Sequence, residues 1–213
     1  MGRINHGISG GFSGKVGTVV GATWNGIDYM RSIESGRTDA KSTAQQNQRA
    51  KFLTIIQFLR PLKGFLPIGF KSRAVNMSPY NAATSYHLAS ALKGTFPDYE
   101  IDYSKVMVSQ GKLPGALNPI VVSNIANEIG FTWDNNSAKI NAMGNDNAVL
   151  VVYNPAKQNA LWVINGQTRI SGSQTITLPA SFSGDEVQCY LSFRKANQTV
   201  ISDSQFVGSL RVR

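Results

Sequence analysis

From Leu113 to Arg213 the chain is a succession of short apolar runs: "PIVVSNI", "EIGFTWD", "NAVLVVYN", "NALWVIN", "SQTITLP", "VQCYLSFR" and "TVISDSQFVGSLRVR". Their separators are rich in Asn, Gly, Ser and Asp, the residues that set up turns. Runs this short and this evenly spaced leave no room for helices between them. They predict an antiparallel β-sandwich of about 100 residues. Trp133 and Trp162 are expected in the core between its two sheets. The single cysteine, Cys189, lies in the alternating "VQCYLSF" and reads as a small packed hydrophobe.

The residues before this region have a different pattern. In "ISGGFSGKVGTVVG", residues 8–21, five glycines surround one lysine. A phosphate-cradling loop needs two glycines five positions apart, the second followed by Lys and then Ser or Thr. Here Ser9 stands at the first glycine position and Val16 at the hydroxyl position, so the loop lacks two groups that do that chemistry. Further on, "KVGTVVGATWNGIDYMRS" alternates on both sides of Asn25-Gly26, and Asn-Gly between such runs predicts a type I′ hairpin. The expected strands are 16–23 and 28–33, fed by a glycine-rich N-terminal arm. Glycines inside a strand weaken it unless another backbone approaches closely.

Two helices are expected next. The first is capped by Ser42 or Thr43 and broken by Pro61, with Phe52, Ile55, Ile56 and Leu59 as its apolar stripe. The second has Ser78 as cap, Pro79 in its first turn and Gly94 past its end. "FLPIGFKSRAV" is read as a loop or short helical turns. "PDYEIDY" alternates strictly, placing Asp98, Glu100 and Asp102 on one strand face. A cation site needs oxygens converging from a loop, so these carboxylates read as a solvated face. The fold class is therefore α+β: an N-terminal β-hairpin plus helices, then an antiparallel β-sandwich of immunoglobulin or fibronectin type. Without a second cysteine it is not a disulfide-type immunoglobulin domain. The boundary is placed in the Pro/Gly cluster "GKLPGALNP", which separates a domain at 1–112 from one at 113–213.

Charge supports the same division. The net charge is +9, yet residues 1–113 hold fourteen basic against six acidic residues, and residues 114–213 hold seven against six. Within 31–73 nine basic residues (Arg31, Arg37, Lys41, Arg49, Lys51, Arg60, Lys63, Lys71, Arg73) face Glu34 and Asp39. Such asymmetry suits nucleic acid, an acidic protein surface or simple solubility. No run of eighteen apolar residues is present and no apolar signal core follows the N-terminus, so a cytoplasmic protein is expected.

Catalytic residues, metal ligands and cofactors are not expected. His6 falls in the arm, and His87 has no acidic residue at helical spacing. Zinc normally takes three or four clustered His, Cys or carboxylate ligands.

The run "GGFSGKVGTVVGATWNGIDYMRS" followed by "STAQQNQRAKF", with "FPDYEIDYSKVMVSQG", "LVVYNP" and "LPASFSGDEVQCYLSF" later, resembles an uncharacterised family of Bacteroidota proteins about as long as this chain. The front half is also similar to small phage and prophage structural proteins, through Gly14-Lys15-Val16-Gly17, Trp24, Gly26, Arg31, Ala44-Gln45 and Gln48-Arg49. That pattern often has prolines between hairpin and helix. This chain has "IESGRTDAKS" there, which leaves the rigidity of the connection open.

The glycine-spaced arm and hairpin, the basic linker and the appended sandwich of little net charge lead to the expectation of a non-enzymatic structural protein, a phage-derived particle or filament subunit that self-associates through its arm and hairpin. Lys15, Trp24 and Arg31 in the hairpin, with Gln45, Arg49 and Lys51 at the helix start, are the expected interface residues. The alternative is a nucleic-acid-binding protein using 31–73, with Tyr29 or Phe52 for stacking, although Phe52 has a core position as its default. A glycan or small molecule on the sandwich, with Trp162 and Tyr190 as platforms, is the third reading.

Overall fold

The structure is a computed structural model. It describes residues 3–4 (backbone alone), 11–24, 26–33 and 42–213. His6, Ser9, Asn25, Glu34, Arg37, Asp39 and Lys41 lie outside the described residues. Contacts divide the chain into two units, Met1–Gln45 and Gln46–Arg213, each described by itself.

In the first unit β1 (Arg3–Ile4), β2 (Phe12–Val16), β3 (Val19–Trp24) and β4 (Ile27–Ser32) form one antiparallel sheet in that order. The stretch expected as a single strand from residue 16 breaks at Gly17, whose φ of 58° lets the chain reverse. Trp24 pairs with Ile27 across the two-residue loop, and Gly26 has a φ of 81°, as an Asn-Gly hairpin requires. Gly14 pairs with Gly21. A Cβ on Gly21 would overlap the Phe12 carbonyl and come within 2.7 Å of the Phe12 ring. The glycine spacing therefore serves close strand packing.

The second unit begins in α1 (Thr43–Leu59), started by Ser42, whose Oγ accepts the Gln45 N–H at 3.4 Å. A short helix α2 (Leu66–Gly69) and a 3-10 turn at Lys71–Arg73 follow. In α3 (Pro79–Ser90), Ser78 accepts the Asn81 N–H at 3.1 Å, the expected cap. This helix stops at Ser90 because Gly94, expected as its terminator, sits inside β5 (Leu92–Thr95) at a φ of 88°. There it lets the chain turn toward β6 (Asp98–Ile101). Glu100 of that strand pairs with Lys93, and Asp102, just past its end, with Lys105, both at 3.2 Å.

Seven strands complete the unit: β7 (Leu117–Val122), β8 (Glu128–Asp134), β9 (Asn147–Asn154), β10 (Asn159–Val163), β11 (Ser173–Thr177), β12 (Glu186–Arg194) and β13 (Gln205–Arg211). They form antiparallel sheets of order β11-β8-β7 and β10-β9-β12-β13. The sheets share a core in which Ile129, Phe131 and Trp133 of β8 meet Leu150 and Val152 of β9 and Cys189, Leu191 and Phe193 of β12. Burial alone pushes the Cys189 thiol up to about 12.

Contacts do not divide at residue 112. Val149, Val151 and Tyr153, on the other face of β9, pack with Tyr190 against Ile55, Phe58, Leu59 and Phe65 from the helical segment. The four-stranded sheet is thus covered on both faces, and the helices are one layer of the same body. The proposed linker is stitched in. Leu113 is in the core, the Val108 N–H donates to Ser204 Oγ at 2.8 Å and Ser109 Oγ donates to the Ser202 carbonyl at 2.9 Å. Trp162 packs on the helical side, 6.1 Å from the Phe65 ring, rather than between the sheets, because it lies opposite Val151 in the register.

Two polar groups lie deep in this body. The Arg169 guanidinium is fully buried; Nε and Nη2 each meet Asp146 Oδ2 at 3.2 Å. Nη1 donates to Asn136 Oδ1 (2.7 Å) and the Gly115 carbonyl (3.0 Å), and Nη2 to the Pro114 carbonyl (2.9 Å). Its plane lies 3.8 Å from the Phe193 ring centroid. His87 sits among the Phe58, Phe70 and Tyr86 rings, with Nδ1 2.7 Å from the Ala83 carbonyl. Burial pulls its pKa down to about 4.

Candidate interaction surface

Residues directly opposite one another in antiparallel strands project to the same face. The register aligns Lys15 with Val20 and Val20 with Arg31, so these three make one cross-strand row. Two residues along, Ala22 pairs with Tyr29, and two further on, Trp24 pairs with Ile27. One face of the sheet therefore carries Trp24, Ile27 and Tyr29 as a shallow apolar depression, with Lys15 and Arg31 at one end. The structure brings the three hairpin residues named from sequence onto this one face.

The depression is open. Trp24 is 48%, Ile27 60% and Tyr29 45% exposed. The opposite face fares no better, since Met30 and Val16 are exposed beside the glycine row, and the Thr23 hydroxyl donates to the Asp28 carboxylate there. Among the described side chains of residues 11–33 only Gly21 is buried. Strand β4 closes one side of the sheet order, and all six of its residues are exposed. Among the described residues no strand pairs with its outer edge, a row of backbone donors and acceptors.

The other three named residues sit in α1 and do not act as a set. Gln45 and Arg49, four apart, share the exposed side of the helix with Leu53 and Phe52. Lys51 turns the other way, is half-buried and holds its ammonium 5.4 Å from the Tyr99 ring centroid; the Tyr99 hydroxyl donates to Asn47 Oδ1 at 2.6 Å. Lys51 thus braces α1 against the β5–β6 hairpin. Phe52, given a core default by its spacing, is half-exposed because burial along α1 begins only at Ile55. With Leu53 and Ile56 it lines a second open apolar depression.

Sequence reasoning missed Ile27, Met30 and Leu53 as surface residues, because their alternation and spacing are those of a half-buried strand and an amphipathic helix. Tyr190, named as a glycan platform, is fully buried and donates its hydroxyl to the Tyr103 carbonyl at 2.9 Å; its place opposite Val151 in the doubly covered sheet excludes that role. Trp162 is likewise packed beneath the helical layer. Of the basic stretch, Arg73 donates from Nε to Gln110 Oε1 at 3.2 Å. Among the described residues no three His, Cys, Asp or Glu side chains gather as a metal site. No helix among them is long and apolar enough to cross a membrane.

The model of a family of unknown function, DUF6266, matches residues 11–208, and the chain belongs to that family. No curated protein matches the chain. Among solved structures, the chain is similar to the fn3 domain of the human collagen alpha-1(XX) chain, with 11% identity and a TM-score of 0.33. That match covers 47% of this chain and 85% of the domain.

Proposed function

We propose that this member of the DUF6266 family is a non-enzymatic assembly protein, a particle or filament subunit of phage-like type that associates with further copies of itself through its N-terminal sheet. The observation that carries this reading is the open face of Trp24, Ile27 and Tyr29 beside the unpaired edge of β4. Aromatic residues and Arg are the groups enriched at protein interfaces, and an edge strand gains intermolecular hydrogen bonds when another strand adds to it. Pairing of that kind is head-to-tail when the added segment differs from the edge it meets, and closes into rings or runs on as filaments according to the rotation. In this reading the seven-stranded pair of sheets is a fibronectin- or immunoglobulin-like module that the assembly displays, in the cytoplasm or within the particle.

The test is the native mass of the full chain by light scattering, with negative-stain images of the same sample. Assembly well above the 23.1 kDa chain mass, lost in a Trp24→Glu/Tyr29→Glu variant, is the expected result. A clean monomer of the unaltered chain overturns the reading.

A further inference from the structure

A cleft of about 360 Å³ opens between the 3-10 turn after α2, the segment before β7 and the loop that joins β12 to β13. Three cations from these three places line it: Lys71, Lys112 and Arg194. Among the described residues none of the three has a carboxylate partner. Arg194 is half-buried, and its Nη2 donates to the Gln198 carbonyl at 3.2 Å; burial draws its pKa below the ordinary guanidinium value. Ile68, Val200 and Ile201 supply the apolar wall. The site is held by backbone: the Lys195 N–H donates to the Val200 carbonyl at 2.9 Å and the Leu113 N–H to the Ile201 carbonyl at 3.2 Å.

Three cations from separate segments line one cleft without forming an ion pair, the nearest carboxylate being Asp203, which is engaged by the Gly111 N–H at 2.9 Å; like charges gathered in this way repel one another. Their combination matches a tetrahedral dianion. A guanidinium offers a planar fork that takes two phosphate oxygens, and two ammonium groups supply mobile point charges. The apolar wall beside them suits a carbon body attached to that anion, and the volume lies in the range of small-molecule sites. We propose that this cleft binds an organic phosphate monoester, its phosphate on Arg194, Lys71 and Lys112 and its carbon chain against Ile68, Val200 and Ile201.

The test is calorimetric titration of the full chain at low salt with hexyl phosphate, with inorganic phosphate, and with vesicles containing phosphatidic acid, a lipid phosphate monoester, in separate arms. The expected result is binding of hexyl phosphate at least about tenfold tighter than inorganic phosphate, since the apolar hexyl chain adds burial to the charge contacts. Arg194→Gln, and separately Lys112→Gln, should each weaken it by about tenfold, while Lys139→Gln, outside the cleft, leaves it unchanged. Lys112→Gln keeps the test valid if loss of Arg194 loosens its loop. Tighter binding to vesicles than to hexyl phosphate, abolished by the same two substitutions, assigns the phosphate to a lipid headgroup. No binding of hexyl phosphate or vesicles, or hexyl phosphate binding unchanged in both variants, overturns the proposal.

Discussion

Replacing Asp146 with Ala should destabilise the second unit by about 3–5 kcal/mol, the cost of leaving a buried charge without its partner. The structure supplies the reasons. The Arg169 guanidinium is fully buried, and its donors are fully used, on Asp146, Asn136 and the carbonyls of Pro114 and Gly115. Asp146 is the one anion in that set, and its Oδ2 also accepts the Met143 N–H at 2.9 Å. Truncation thus strands a cation and a backbone donor together. For a chain of this size each kcal/mol lowers the melting temperature by about 2–4 °C, so the midpoint should fall by roughly 6–20 °C.

Trp133 reports on the event from within. Its indole N–H donates to the Arg169 carbonyl at 2.8 Å, and its ring lies 5.5 Å from Phe193, so near-ultraviolet dichroism follows the same network during urea unfolding. The control is the cycle with Arg169→Met. In that background the charge is already gone, and Asp146→Ala should cost far less than in the parent chain. A cost below about 1 kcal/mol in the parent, or an equal cost in both backgrounds, would refute the reasoning, because a buried charge pair must couple.

Two further outcomes follow from burial. The His87 pKa is held down near 4 against about 6.5 when unfolded, so below pH 6.5 the unfolded chain takes up the proton first. The contribution of His87 is intact above pH 6.5 and falls by about 3 kcal/mol as pH drops to about 4; urea midpoints across that range should lose this slope in His87→Met, and an unchanged slope rejects the assignment. Cys189, pushed up to about 12 and fully buried, should react with a thiol reagent only as fast as the body unfolds, so rapid labelling of the native chain rejects its place in the core.

Sequence made the seven strands after residue 113, the Asn-Gly turn and both helix caps legible because each rests on local chemistry. Ser78 followed by Pro79, and Asn25-Gly26 between alternating runs, specify backbone conformation within a few residues. The domain boundary was not local. Its signal was present in "NAVLVVYN", which is apolar throughout where a half-exposed strand alternates. Such a run marks a strand buried on both faces, and β9 is buried from Ala148 to Asn154. By contrast "EIGFTWD" alternates, and β8 buries Ile129, Phe131 and Trp133 while leaving Thr132 and Asp134 exposed. Read together, the two patterns call for a third layer over one sheet alone. The helices of residues 43–90 are that layer, which is why a Pro/Gly cluster at 111–119 could not be a linker. Arg169 in "QTRISGS" had no such mark, since a charged residue in a polar turn reads as solvated until its distant partners are known.

The hairpin residues named from sequence were legible one by one, and not in how they come together. Lys15, Trp24 and Arg31 share a face through strand register, and register follows once the turns at Gly17 and Gly26 are fixed. What local patterns could not convey is that, among the described residues, this sheet has no core of its own. A sheet of so few short strands needs a covered apolar face to be stable, and its glycines add to the entropy lost on ordering. The described residues 11–33 bury one glycine and leave Trp24, Ile27, Tyr29 and Met30 open. Covering the three residues of the depression would remove roughly 300 Å² of side-chain surface from water, about 7 kcal/mol before ordering costs. That gain is comparable to the whole stability of a small domain. In the proposed assembly the copy that covers this face would carry an apolar patch matched to Trp24, Ile27 and Tyr29, with acceptors placed for Lys15 and Arg31.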